Sequence, residues 1–442
     1  MVYLNSMLFA FKNHLEEHFP KIFTSRILLA ISGGVDSVVL AHLCKDFNLD
    51  FSLAHCNFQL RGEESDGDED FVVALADALE VQVFIEDFET EAYAREKKIS
   101  VQMAARDLRY NWFRELRETI QYDYIFTAHH ANDNLETVLI NLVRGTGLEG
   151  LTGIPEENDF VIRPLLSFSR AEIEDYAHNA ALKWREDSSN DSTKYLRNKI
   201  RKEVVPKLVE LNPQLLESFN KTVNHLLHSS VLIEDYISTL FPRIAKEEDF
   251  GYSFKINLLK TIPNLKAVLY ELFRSFGFTE WNDVYDLLDA QPGKIVYSKT
   301  HRLIKDRENL LLTTLPPKND MIYHIQQDEE VVMLSIGTFH FEEVKNIEGE
   351  DRNSIFLDPE KLEFPLTIRR WQTGDHFYPF GMEGKKKLSK FFKDEKLSLP
   401  EKENCWLLCS NNKIVWVIGY RADQRFAVAD TTKKILRLTY TT

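Results

Sequence analysis

Apolar and polar positions alternate in blocks along the first half of the chain. RILLAI (Arg26–Ile31) is a continuous apolar run that predicts a short buried strand, and residues 38–46 follow it as a helix. FSLAHCN (Phe51–Asn57) and Val81–Phe88 predict a second and a third strand. Ser100 is placed to cap a helix reaching Ile120, with Val101, Ala104, Leu108, Trp112 and Leu116 on one face. Tyr122–Ala128 predicts a fourth strand. A helix over 132–143 carries Leu135, Val138, Leu139 and Leu142 at helical spacing, and Val161–Leu166 predicts a fifth strand. This alternation predicts an α/β fold, a doubly wound parallel sheet covered by helices on both faces. In such a sheet the ligand crevice lies beyond the C-terminal strand ends, where strand order reverses.

The alternation stops near 205–220. VVPKLVELNPQLLESF and the stretch to Phe241 predict helices, and 251–314 continues with helices and then a hairpin, GKIVYSKTHRLIKDRENLLLTT. Pro316 and Pro317 end this region. The pattern divides into an α/β domain over 1–215, a mainly helical middle domain over 216–318, an acidic β connection over 319–362 and a small α+β domain over 363–442. GEESDGDED (Gly62–Asp70) holds six carboxylates in nine residues and is expected to be an exposed loop.

Composition narrows the class. The 442 residues are 44% hydrophobic and 28% charged, the balance of a globular protein. No run approaches the roughly 20 apolar residues of a membrane helix. The N-terminus reads on into a charged helix and lacks a basic leading region, so it is expected to be a domain helix rather than a signal peptide. Four cysteines form no CxxC pair, which argues against a structural zinc or iron–sulfur site and fits a cytoplasmic protein. The net charge of −15 hides a division. Residues 361–442 carry 16 Lys+Arg against 9 Asp+Glu, so the basic end suits a polyanion and the acidic remainder discourages indiscriminate binding.

SGGVDS (Ser32–Ser37) lies directly between the first strand and its helix. Small residues let backbone N–H groups approach an anion, and the helix N-terminus adds a favourable dipole. Ser32 and Ser37 can donate to phosphate oxygens. Asp36 would repel a bare phosphate and makes sense beside a phosphate-bound Mg²⁺. The lysine of a GxxxxGK[ST] loop is absent.

Strand–SGGxDS–helix resembles the pyrophosphate loop of the N-type ATP pyrophosphatases, whose domain is of the adenine nucleotide α hydrolase type. Further segments resemble the tRNA(Ile)-lysidine synthetases within that group: AHCNFQLRGEESDGDEDFV, AARDLRY (Ala104–Tyr110), HHANDNLET (His129–Thr137), RGTGLEGLTGI (Arg144–Ile154), RPLL (Arg163–Leu166), EDSSN (Glu186–Asn190) and RNKIR (Arg197–Arg201). Their order is kept over roughly 25–205, and the basic C-terminal piece resembles that family's C-terminal domain. Two departures stand out: Phe58 where a histidine is common, and Asn134 where glutamine is usual. The resemblance implies ligation of free L-lysine to C2 of the wobble cytidine of tRNA(Ile) with a CAU anticodon. The route it implies is an adenylated cytidine, with ATP and Mg²⁺ consumed as Mg·ATP and with AMP and pyrophosphate released. It implies no membrane partner and allows a homodimer.

The same resemblance distributes roles. Ser32, Gly33, Gly34, Val35, Asp36, Ser37 and His55 would bind ATP, with Asp36 facing its Mg²⁺. Asp36, Asp133, Glu136 and Arg106 would be catalytic, and Asp133, Glu136 and Arg109 would hold lysine. Arg61, Arg144, Arg197, Arg201, Lys385, Lys386, Lys387 and Lys390 would meet tRNA, with Tyr195, Phe391 and Phe392 as aromatics able to stack on unpaired bases. On their own terms, Asp133 and Glu136 are three apart and share a helix face, which a helix dipole alone would also favour. A lysine ε-amine with pKa near 10.4 is neutral about once in 2,500 at pH 7, a penalty of roughly 4.6 kcal/mol. Attack therefore needs a proton acceptor or a site that lowers that pKa, and the sequence leaves open whether Asp36, Asp133 or Glu136 serves. His129 and His130 beside these carboxylates also admit a metal-site reading. The rivals are a tRNA thiolase, disfavoured by the lack of CxxC, an NAD- or GMP-type synthetase, disfavoured by the basic aromatic end, and a non-catalytic nucleotide-binding RNA chaperone.

Overall fold

The computed structural model describes residues 2–60, 62–186, 196–316, 321–348 and 352–441. They fall into two compact units, Met1–Glu234 and Asp235–Thr442.

The first unit runs α1 (Val2–His18), β1 (Arg26–Ala30), α2 (Val35–Asp46), β2 (Asp50–Asn57), α3 (Glu63–Leu79), β3 (Val83–Asp87), α4 (Thr90–Lys97), α5 (Val101–Ile120), β4 (Tyr124–Phe126), α6 (Ala131–Arg144), α7 (Leu148–Leu151), β5 (Glu157–Asn158), β6 (Val161–Ile162) and α8 (Arg170–Asn179). The strands form one sheet in the order β3-β2-β1-β4-β6-β5, parallel except for β5. RILLAI has no polar alternation because both faces of β1 are covered. Ile27 and Leu29 join a core with Val38 and Ile173, while Leu28 joins the opposite core with Trp112 and Phe113. Strand order reverses at β1, so the crevice past the ends of β1 and β4 is the switch point of the sheet. Ser100 caps α5, its hydroxyl accepting from Met103 N at 3.2 Å.

Two local expectations are corrected. The acidic stretch 62–70 is not a loop but the start of α3. Its carboxylates sit in the first turns, where the dipole favours them, and Val72, Leu75, Ala76 and Leu79 bury the other face. The fifth strand is only Val161–Ile162, after which the chain turns through RPLL with Arg163 Nη1 donating to Pro155 O at 2.7 Å.

After α9 (Leu196–Lys199) comes a π-helical turn, Ile200–Val204, then α10 (Val205–Leu211) and α11 (Leu215–Ile244). The second unit begins within α11. Its first part is helical but also holds a five-stranded antiparallel sheet of Ala245–Glu248, Gly251–Lys255, Ile295–Tyr297, His301–Asp306 and Asn309–Thr314. The segment expected as a hairpin thus forms three of these strands, and Ala245–Glu248 and Gly251–Lys255 extend them on one side, around Phe254, Phe273 and Leu303. The acidic stretch 319–362 is not a separate piece. Tyr323–Ile325 pairs with Leu366–Arg370, and both Gly337–Val344 and Ser354–Leu357 pair with the last strand, Ile435–Thr441. Strands so short bury an apolar face only by joining the C-terminal sheets. Among the described residues no helix is long and apolar enough to cross a membrane, and all four cysteines are free.

Candidate active site

Ser32–Ser37 leaves the end of β1 and enters α2 at the switch point. Gly33 takes a positive φ of 83°, a conformation that glycine adopts without strain, and its carbonyl accepts from Arg185 N at 2.9 Å. Gly34 caps α2. Ser37 Oγ donates to Gly34 O at 3.0 Å, accepts from Ser32 N at 3.2 Å and lies 3.2 Å from Ser32 Oγ. The loop is therefore shaped by its own hydroxyls, with the first turn of α2 at its back. Val35 is buried in the core, so only its backbone is available to a ligand.

A cleft of about 530 Å³ opens past the strand ends. Of the residues expected to bind ATP, Ser32, Asp36, Ser37 and His55 line it. His55 is buried, with Nδ1 2.9 Å from Ile31 O. From β2 onward, Cys56, Asn57, Phe58, Ser65 and Asp68 form one wall, and Gln102, Arg109 and Tyr110 of α5 form the other. Arg109 is stacked 5.2 Å from the Phe58 ring, so the phenylalanine that stands where a histidine is common positions an arginine through its π face. Burial raises the pKa of the neighbouring Cys56 thiol to about 12, with the Arg109 charge pulling against it. Arg106 does not line the cleft. It is exposed and lies 4.9 Å over the Tyr110 ring.

Beside the cleft a second cluster gathers around Asp36. Asp133 and Glu136 project from the first turns of α6, as their spacing predicts, but neither lines the cleft. His130 Nε2 lies 3.8 Å from Asp36 Oδ1 and 3.4 Å from Asp133 Oδ2, bridging the two carboxylates. Arg170, the first residue of α8, donates to Asp36 Oδ2 and to Glu174 Oε1. Glu136 is 2% exposed, and Arg201 grips it through Nε at 2.5 Å and Nη2 at 3.0 Å. Arg197 Nε is 3.1 Å from the same carboxylate, and its Nη2 donates to Thr137 Oγ1 at 2.7 Å. Arg201 Nη2 also reaches Asp133 Oδ1 at 3.3 Å.

Burial raises the Asp36 pKa, although His130 and Arg170 pull against it. Burial acts upward on Asp133 too, but His130, His129, Arg197 and a backbone N–H outweigh it and hold the group below the usual carboxylate range. Burial lowers His129 to about 4, so its imidazole is neutral at pH 7, with Nδ1 3.0 Å from Thr127 Oγ1. Asp36 Oδ1 is buried and has no hydrogen-bond donor, which suits a hard cation. Among the described residues no group of three or more His, Cys, Asp or Glu is set to hold a metal unaided. His129 and His130 thus belong to no such group among the described residues, and a cation at Asp36 would have to bring other ligands.

Arg197 and Arg201, expected on RNA, are turned inward because Asp133 and Glu136 leave charge that must be paired. Arg144 is exposed at the end of α6, just before Gly145 turns the chain with φ of 80°. Arg61 and Tyr195 lie outside the described residues. In the second unit Lys385, Lys387 and Lys390 are exposed. Lys386 instead pairs with Asp394 at 2.9 Å and covers the Phe391 ring. Phe391 and Phe392 are 1% and 0% exposed and belong to the core, so they cannot stack on bases. Phe380 and Met382, each nearly half exposed, are the apolar side chains this basic loop does present. Asn134 is structural, its Oδ1 accepting from Ile154 N at 2.7 Å. The sequence reading missed Arg170 and Arg185. A signal existed for the first, since Ser169 begins a capping box on α8.

Comparison with known proteins accords with this layout. Residues 7–208 match the family model described as PP-loop domain, 247–316 the TilS substrate binding domain and 366–439 the TilS substrate C-terminal domain. A tRNA(Ile)-lysidine synthase of Parabacteroides distasonis is 41% identical over 420 residues, covering 93% of this chain and 94% of that protein. One of Porphyromonas gingivalis is 38% identical, covering 93% of each. A looser likeness is to the solved U34-tRNA thiolase NcsA of Methanococcus maripaludis, 17% identical with a TM-score of 0.44, covering 51% of this chain and 80% of that one. At 41% identity over nearly its whole length, with all three domain models in order, the chain belongs to the tRNA(Ile)-lysidine synthase family.

Proposed function

We propose that this chain joins the ε-amine of free L-lysine to C2 of the wobble cytidine of tRNA(Ile) with a CAU anticodon, in the cytoplasm, using ATP. Family membership makes it an ATP-using ligase. The observation that carries the finer reading is the meeting, at Asp36 and His130, of a phosphate-type loop with a paired-carboxylate cluster.

In this reading ATP enters the cleft with its phosphates on Ser32–Ser37. Backbone N–H groups and the two serines hold the β and γ phosphates, and the α2 dipole favours their charge. Asp36, with its unpaired Oδ1, would hold the Mg²⁺ that arrives with ATP and offsets phosphate charge. The cytidine C2 oxygen attacks the α-phosphorus, the bond to the β-phosphate oxygen breaks, and pyrophosphate leaves. Arg109, held by Phe58, faces the cleft where negative charge accumulates. Asp133 and Glu136 hold lysine by its amino groups. Asp133 stays ionised at pH 7, so it can receive the ammonium and then a proton as the nitrogen attacks C2 and AMP departs. The target base must be unstacked to bring its C2 oxygen to the α-phosphorus.

The test is pyrophosphate release with tRNA(Ile) carrying CAU while the twenty amino acids are scanned. Turnover with lysine alone, its loss in Asp36→Ala, and a mass gain on the wobble cytidine establish the reaction. Turnover without amino-acid dependence, or only with a sulfur donor, refutes it.

A further inference from the structure

The phosphate loop carries no cation of its own: Arg170, Arg197 and Arg201 are on carboxylates, and Arg109 is stacked on Phe58 across the cleft. One more guanidinium sits at the loop. Arg185 is anchored by its backbone N–H on Gly33 O at 2.9 Å. Its Cγ lies 3.7 Å from where a Gly33 side chain would begin, so the arginine stem packs on the loop itself. The head does not point away into solvent. Nε donates to Asp68 Oδ1 at 3.0 Å, and Nη2 lies close over Gly67 on α3. Asp68 is largely buried and lines the cleft.

An aspartate on the wall of a polyphosphate site opposes its ligand unless a cation accompanies it. We propose that Arg185 is a phosphate ligand: its guanidinium rests on Asp68 in the free enzyme, transfers to the β and γ phosphates as ATP binds, and returns to Asp68 as pyrophosphate leaves. The inference rests on the ATP reading above. Three features carry it. The pivot of the side chain is fixed to the loop, so the head stays within a side-chain length of the bound phosphates. The side chain is 44% exposed, so it can swing without repacking a core. An arginine stays charged at any working pH and meets two phosphate oxygens with a planar fork. Asp68 then holds the fork ready and competes for it at the product stage, when pyrophosphate must depart.

The experiment is calorimetric titration of the full chain with three probes in Mg²⁺: inorganic pyrophosphate, ATP and AMP. Arg185→Gln keeps the stem on Gly33 and a donor toward Asp68 but removes the charge. It should weaken pyrophosphate and ATP by about tenfold or more and leave AMP within about twofold, since a charge-assisted bond is the only loss. Arg185→Lys, which restores the charge, should recover most of the pyrophosphate affinity. Thermal melting checks that both variants fold. Unchanged pyrophosphate affinity in Arg185→Gln overturns the proposal. So does an equal loss of AMP and pyrophosphate, which a mere scaffold for Gly33 would give. Failure of the parent chain to bind ATP would instead refute the ATP reading.

Discussion

Glu136→Gln separates the two halves of the reaction. The carboxylate is 2% exposed and faces Arg201 through two bonds and Arg197 at 3.1 Å. Two unit charges about 4 Å apart attract by about 4 kcal/mol at an effective dielectric of 20. Both arginine side chains are about 40% exposed, so water recovers much of that when the partner is lost, and the carboxylate's own desolvation cost is relieved. We expect a net loss of about 2 kcal/mol, between a surface pair and a fully buried one. For a unit of this size that lowers Tm by about 4–8 °C. The chemical effect should be of similar size but selective. A charge-assisted bond to the lysine ammonium is worth about 1.5–3 kcal/mol, or about 10–150-fold in affinity. Arg201 competes for the same oxygens, so the low end applies. The assay is two measurements on folded variant: single-turnover pyrophosphate release with tRNA and no lysine, and the lysine KM of the complete reaction. Release of the first pyrophosphate should stay within about twofold of the parent, while the lysine KM rises about tenfold. An unchanged lysine KM refutes the placement of lysine at Glu136, and loss of the pyrophosphate burst in a folded variant assigns Glu136 to the first half-reaction instead.

Phe391→Ala should destabilise the second unit by about 3–5 kcal/mol in urea melts, because the ring fills a core. The triple change of Lys385, Lys387 and Lys390 to alanine should leave Tm unchanged while weakening tRNA in filter binding, with a salt slope shallower by up to about 3. Gly153→Ala should cost about 1–3 kcal/mol in thermal melts, since φ is 79° and the new Cβ would fall 2.0 Å from Asn134 Oδ1. His129, lowered to about 4 from an ordinary 6.5, is neutral in both states above pH 6.5. Between pH 6.5 and 4 only the unfolded chain takes its proton, so stability should fall by on the order of 2 kcal/mol by pH 5, and His129→Asn should flatten that slope in urea titrations.

The parts of this molecule legible in its sequence are those set by neighbours along the chain. RILLAI followed by SGGVDS is strand, turn and helix within a dozen residues, and every signal for it is local. Asp133 and Glu136 share a helix face for the same reason. The acidic start of α3 misleads because charge drew the eye from Val72, Leu75, Ala76 and Leu79, whose spacing already marks a buried helical face. Phe391 and Phe392 mislead in the opposite direction. Among lysines they look like base-stacking residues, yet with Leu388 they form the inward face of one short helix, Leu388–Asp394.

What the sequence hides is the pairing across distance. Arg201 stands 65 residues from Glu136 in the chain, and Arg170 stands 134 from Asp36. RNKIR is a basic stretch in isolation and suits RNA equally well. Its inward turn follows from a condition no local pattern states, that three carboxylates gathered at a sheet's switch point need compensating charge. Arg170, Arg197 and Arg201 supply that charge, one from the start of α8 and two from the turns after 195. A carboxylate pair on a helix therefore locates a site, but which cations answer it depends on the strand order that brings α6, α8 and the π-helical turn together. The same logic explains Phe58. A histidine there would have offered a hydrogen bond, whereas a phenylalanine offers a face, and only the fold of α5 over β2 places Arg109 against it.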